Sequence, residues 1–126
     1  MNVASTAAES LVRDYLQAME QRDLEKAQTF LANGFVMTFP GTGEMTSLST
    51  LVDWSRSRYR YVRKTLAAVN IAHEPDGFVV FVHGSLSGEW PDGNTFSDIR
   101  FIDRFEVRNN RLERQDVWND LANALS

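Results

Sequence analysis

An aspartate stands in the run Phe101-Ile102-Asp103-Arg104-Phe105, where its neighbours two positions away are both phenylalanine. Residues two apart on a strand share a face, so this carboxyl group belongs to a face that is otherwise apolar. A carboxyl group so placed has two uses. It donates a hydrogen bond to a developing oxyanion or a polarised carbonyl, or it is an architectural carboxylate satisfied by a tyrosine, a tryptophan nitrogen or a backbone amide. Tyr15 is the natural companion of Asp103. It lies on the helical stripe Ala8, Leu11, Val12, Leu16 and Met19, where a phenol is either a core side chain in need of one partner or a second donor. His73 is the third candidate. The turn after it matches His73 to Phe78 at the rim of the same face, as a general base or as a strand-end histidine in solvent. His83 faces the other way, as an interface or surface residue.

Other chemistries lack their residues. Two separated histidines and no cysteine give no metal-ligand spacing and no thiolate nucleophile. Ser85 and Ser87 have no His/Asp pattern to activate them, and Gly41-Thr42-Gly43 lacks the strand-to-helix context of a phosphate loop. No cofactor is expected. Arg56, Arg58, Arg60, Arg63 and Lys64 form a run without acids. It reads as a solvated set matching a helix C-terminus or as an anion site for a carboxylate, a phosphate or a coenzyme A tail.

The elements that must position these groups follow from periodicity. Thr6-Ala7-Ala8-Glu9 has capping-box spacing, and the first helix is predicted from Ala7 to Arg22. Asp23 caps a short second helix with Leu24, Ala27, Phe30 and Leu31 on one face, stopped at Asn33-Gly34. A strand is expected over Phe35–Phe39, and a third helix from Ser47 or Thr50 to about Arg63. Leu66–His73 is a strand turned by Glu74-Pro75-Asp76-Gly77. The chain from Phe78 to Val107 is then one long hairpin around Pro91-Asp92-Gly93-Asn94. With Asp92 and Gly93 as a two-residue turn, Trp90 opposes Thr95, Leu86 Ile99, Gly84 Phe101, Val82 Asp103, Val80 Phe105 and Phe78 Val107. That register places every one of these core candidates on one side. Leu112 to about Trp118 is the last strand. Counting from Leu112 turns Gln115, Val117 and Asn119 inward, and a bulge would exchange them for Arg114, Asp116 and Trp118.

The fold class is therefore α+β: a cone-shaped, strongly curved antiparallel sheet with three helices from the N-terminal half on its concave face. Residues 1–126 make a single domain, and 43% hydrophobic with 24% charged residues is globular composition. A net charge of −4 excludes a general nucleic-acid binder. No stretch approaches a membrane span, and the N-terminus has no basic region before an apolar run. With no cysteine, this makes the cytoplasm the expected compartment. The outer hairpin face carries Val79, Phe81, His83 and Ile102 among charges, which predicts a homodimer through that face.

Leu11-Val12-Arg13-Asp14-Tyr15-Leu16-Gln17-Ala18-Met19, Asp23-Leu24-Glu25, Phe30-Leu31-Ala32, Pro40-Gly41, Phe101-Ile102-Asp103-Arg104-Phe105 and Val117-Trp118-Asn119-Asp120 occur in an order and spacing that resembles the nuclear transport factor 2-like superfamily. The resemblance covers Thr6 to Asp120 and is closest to the SnoaL-like branch, which includes ketosteroid isomerase, polyketide cyclases, scytalone dehydratase and limonene epoxide hydrolase. It implies a cystatin-like α+β roll. Against ketosteroid isomerase, Tyr15 falls at the oxyanion-hole tyrosine and Asp103 at the protonated aspartate beside it, the general case of an acid kept neutral by an apolar site. The general base of that enzyme falls at Phe39, which argues against its reaction. Lys64 and Thr65 stand where the dehydratases have a histidine. Asp98 and Arg100 point outward, away from any hydrolase-like Asp-Arg-Asp arrangement.

Three functions follow as expectations. The first is a cofactor-free isomerase, cyclase or lyase acting on a small apolar carbonyl compound, steroid- or polyketide-like, with Asp103 and Tyr15 as donors and no identified base, His73 being the first residue to consider for that role. The second is a cone that holds an apolar ligand without chemistry, with Trp54, Trp118 and Trp90 near it. The third is an association domain working through its outer face.

Overall fold

In the computed structural model, which describes residues 3–124, the apolar stripe of the first helix lies against a curved sheet. That helix, α1 (Val3–Glu20), packs on three strands and buries Ala8, Leu11, Val12, Tyr15, Ala18 and Met19. It is already helical at Val3, so Thr6 does not begin it. Glu9 is free to pair with Arg13 one turn on, at 2.9 Å. α2 (Leu24–Gln28) is capped by Asp23, whose carboxylate accepts from the Lys26 N–H.

The expected stop at Asn33-Gly34 falls inside β1 (Leu31–Thr38). Gly34 has φ +80° there and marks an irregular stretch of pairing, not a helix end. Ser47 caps α3 (Leu48–Ser55), which ends eight residues before the expected Arg63. The sequence from Tyr61 onward is instead the start of β2 (Tyr61–Glu74), which begins five residues before the expected Leu66. Tyr61, Val62, Thr65 and Val69 are strand-favouring side chains, and pairing with β3 (Gly77–Glu89) outweighs the helical spacing. β4 (Thr95–Arg108) and β5 (Arg111–Asn119) follow, then the unforeseen short α4 (Leu121–Ala124).

The strand order is β1-β5-β4-β3-β2, and β1 runs parallel to β5, the one departure from the expected antiparallel sheet. β4 and β5 are joined at Asn109-Asn110, both with positive φ, as a tight mirror-image turn requires. From Phe78↔Val107 to Leu86↔Ile99 the long hairpin has the expected register. Its turn does not. Gly93 N–H donates to Trp90 O and Trp90 N–H to Asn94 O, and Gly93 sits at φ +93°. This is a three-residue loop, because proline at Pro91 suits the first centre of a type I turn and glycine the left-handed residue after it. Glu89, not Trp90, opposes Thr95. A bulge with Asp98 at φ +59° then inserts one residue and restores the register by Leu86. Two offsets cancel.

Two further bulges matter for the site: Ala67 is unpaired in β2, and Glu113 interrupts the pairing of β5 with β4. The core lies between the helices and the inner sheet face, with Phe105, Val80, Val82, Met37, Leu86 and Leu112 fully enclosed.

Candidate functional site

β4 alternates as the sequence demands. Phe101, Asp103 and Phe105 point inward and Ile102 and Arg104 outward, and Asp103 is set between Val82 of β3 and Val117 of β5. Its carboxylate has no exposed surface. The oxygen Oδ2 accepts the ammonium of Lys64 and, at 3.4 Å, the Nε2 of Gln115. Oδ1 has no hydrogen-bond partner among the described residues. The architectural use of the carboxyl group fits this arrangement, because a cation stands against Asp103 and its Oδ2 accepts. A buried anion needs such a partner, because desolvation is otherwise uncompensated.

Lys64 reaches this position through the Ala67 bulge. Lys64 and Val69 are an odd interval apart, so in a regular strand they would face opposite ways. The unpaired Ala67 lets Lys64 oppose Leu86 and Val69 oppose Val82, all on the inner face. The bulge requires Gly84, since a Cβ there would lie 2.0 Å from Thr65 O and 2.8 Å from Ala67 N. The Lys64 side chain is 21% exposed, and its Nζ also lies 5.1 Å from the centre of the Phe101 ring. The backbone N–H of Lys64, on the outermost strand, donates to Glu20 at the end of α1 at 2.9 Å.

Gln115 faces inward for a similar reason. Leu112 and Gln115 are also an odd interval apart, and the Glu113 bulge puts both on the core side. The inner row of β5 is therefore Gln115, Val117 and Asn119, with the bulge as its cause and not its alternative. Trp118 is turned out and 53% exposed, which corrects its expected place near the cone.

Tyr15 is fixed edge-on between Phe35 and Phe105, with ring centres 6.2 and 6.1 Å away. Its hydroxyl is buried without a hydrogen-bond partner among the described residues. Burial, and then the charge of Asp103, push the phenol well above its ordinary value, so it is a neutral donor at any physiological pH.

Two clefts meet at Lys64. A narrow one of about 80 Å³ runs over Tyr15, Leu16, Met19, Leu51 and Gln115. A wider one of about 270 Å³ is lined by Trp54, Leu86, Trp90, Val117, Asn119 and Leu121. Phe39, Tyr59, Val62 and Lys64 border both. Phe39 packs on Trp54 with ring centres 5.6 Å apart, so an apolar wall occupies the place where the resemblance would have a base.

His73 is not brought to this site. It is exposed and stacks edge-on against Phe78 at 5.2 Å, four strand positions beyond Val69 on the side away from Lys64. The basic run is also dispersed. Arg56 caps α3, Arg58 lies over the Trp54 ring at the wall of the wider cleft, Arg60 pairs with Glu89, Arg63 lies over the Tyr61 ring, and of the run Lys64 is the one that reaches Asp103. Among the described residues no cluster of metal-binding side chains occurs, and no helix is long and apolar enough to cross a membrane.

The sequence places Lys64 in a basic run, and its inward position beside Asp103 is what that reading lacks. The alternation Val62, Lys64, Leu66 against Tyr61, Arg63, Thr65 was a period-two signal that could have revealed it.

Solved structures with the same architecture are numerous and distant. An NTF2-like protein of unknown function from Burkholderia pseudomallei has 17% identity and a TM-score of 0.75, with 94% of this chain and 95% of that one covered. A protein described as a putative polyketide cyclase from Xanthomonas campestris has 18% identity and a TM-score of 0.74, covering 94% of each chain. An LEH-like epoxide hydrolase from M. tuberculosis has 17% identity and a TM-score of 0.70, covering 93% of this chain and 85% of its own. At these identities the likeness is one of fold. No curated protein matches in sequence. The SnoaL-like domain profile matches residues 12–115, nearly the whole of the helices and sheet described above. The chain belongs to the SnoaL-like domain family, within the NTF2-like fold.

Proposed function

We propose that this protein binds a small, largely apolar molecule carrying a carbonyl or enolate oxygen, and acts on it by acid-base chemistry of the isomerase, cyclase or lyase kind. The observation that carries this reading is the Lys64 ammonium, held on the buried Asp103 where two apolar clefts meet. Apolar walls with few convergent polar groups are the usual makeup of a ligand site. Lys64 is the primary donor to the ligand oxygen, Tyr15 a second one, and Asp103 orients Lys64 and balances its charge. A preorganised ammonium in a water-poor site stabilises developing negative charge more than it does in water. The relative described as a polyketide cyclase agrees in kind with such a substrate.

The test is a titration of the Trp54 and Trp90 fluorescence with steroid- and polyketide-like ketones, using Lys64→Met as the comparison. A charged hydrogen bond of about 1.5–3 kcal/mol corresponds to roughly 10- to 100-fold weaker binding in the variant. No saturable response in the native protein across the panel would refute the reading.

The outer sheet face supports a second element of the reading, a homodimer. Ile102 and Trp118 are cross-strand neighbours there, 37% and 53% exposed, with Tyr61 also exposed on the outermost strand. Charged side chains surround them, as at the rim of an interface. Cytoplasmic residence is part of the same proposal and rests on the composition alone.

A further inference from the structure

Of the 13 lysines and arginines in the chain only Lys26 and Lys64 are lysines. Lys26 is exposed on α2, whereas Lys64 is the cation against Asp103. A purely architectural ion pair is better served by arginine, whose planar fork is always charged and matches a carboxylate with two hydrogen bonds. Lysine differs in being able to give up its proton. An acceptor for that proton stands in direct contact, and moving it from Lys64 to the Asp103 carboxylate turns two opposite charges into two neutral groups. It leaves an amine lone pair facing the two clefts.

We infer that Lys64 is a nucleophilic amine that forms a Schiff base with a ketone or aldehyde carbonyl of a small apolar ligand, with Asp103 as its proton shuttle. This rests on the proposed reading that the clefts bind a carbonyl compound. Asp103 takes one proton from the Lys64 ammonium, and the freed amine adds its lone pair to the carbonyl carbon. The carbonyl π electrons go to oxygen, which receives a proton from the added nitrogen and becomes the hydroxyl of a carbinolamine. Asp103 returns its proton to that hydroxyl, which leaves as water while the nitrogen lone pair forms the C=N bond. The sum is one ammonium and one carbonyl giving one iminium and one water, with Asp103 ionised again. Phe101 lies against the Nζ where the iminium charge would form, and Tyr15 is a neutral donor for the carbinolamine oxygen. The exposed Lys26 has no such surroundings, so one chain carries both the reactive lysine and its control.

The native protein is incubated with benzylacetone and sodium cyanoborohydride, and the adduct, a mass gain equal to the ketone less one oxygen atom, is located by peptide mapping. The expected result is labelling of Lys64 at least ~10-fold faster than Lys26, slowed by a similar factor in Asp103→Asn. Labelling of Lys64 no faster than Lys26 overturns the inference, and it needs no variant to fold. A parallel fluorescence titration with benzylacetone alone separates the two readings. Saturable binding without a Lys64 adduct removes the Schiff base and leaves the ligand site, whereas neither binding nor adduct removes both. An Asp103→Asn protein labelled at the native rate removes Asp103 as the shuttle.

Discussion

The Glu20 carboxylate accepts a hydrogen bond from the backbone N–H of Lys64 at 2.9 Å. The last residue of α1 thus fastens the free edge of β2 at the position whose side chain enters the site. Glu20→Ala should cost about 1 kcal/mol of stability, the scale of a single hydrogen bond, and should weaken ketone binding as Lys64 loosens. Glu20→Gln retains an acceptor and should restore most of both, as urea melts and fluorescence titrations will show.

Asp103→Asn leaves the Lys64 charge without its partner. With Lys64 still in limited contact with water, a loss of about 3 kcal/mol at neutral pH is expected, the lower end for a broken buried pair. Unchanged or raised stability at pH 7 to 8 would instead mean that Asp103 is a neutral acid.

Gly84→Ala places a methyl group against the β2 backbone at the Ala67 bulge. Strain of about 1–3 kcal/mol is expected, together with loss of selective chemistry at Lys64, because the bulge is what turns Lys64 inward. An Ala variant with native stability and native ligand response would show that the bulge is not needed.

Asp116 gives a pH dependence of known sign. Burial pushes its carboxyl up, but hydrogen bonds from Arg114 and Thr38, with the charges of Arg114 and Arg104, outweigh this and hold it below the ordinary range. The unfolded chain then binds more protons in acid, so the stabilisation is whole above about pH 3.9 and is lost as pH falls through the folded value. Urea melts of the native protein and Asp116→Asn from pH 6 downward should converge as the acid limb is descended.

The outer-face proposal predicts a light-scattering mass of two chains at micromolar concentration, reduced to one chain by Ile102→Glu. A one-chain mass in the native protein, unaltered by the substitution, would refute it.

The sheet was more legible than the site. Alternation from Phe78 to Val107 determines which side chains share a face with Asp103, and the core pairs follow from it. What was hidden lies at the irregular points. The three-residue loop at Gly93 and the bulge at Asp98 offset one another, so a count through the wrong turn still reached the right partners. The inward position of Lys64 was lost because Leu51, Val52, Ser55, Tyr59 and Val62 also satisfy a helical spacing, and a short apolar pattern does not separate helix from strand. The β2–β3 pairing, between residues far apart in sequence, decides it. Tyr15 and Asp103 were found as residues of interest, but the partner that sets their roles arrives from β2 and cannot be read from either segment alone. His73 was placed correctly opposite Phe78, at the end of the sheet remote from the clefts.

The bulges at Ala67, Asp98 and Glu113 are also a reserve of chain length. Removing any one of these residues would close its ladder into unbroken alternation without transferring a side chain from one face to the other, and the local coiling of the sheet would be what changes. A residue gained or lost elsewhere in those strands would exchange the two faces from that point to the strand end. Point substitution in this sheet therefore edits the cavity one group at a time, whereas a change of length by one residue either spares the lining or replaces an entire row of it.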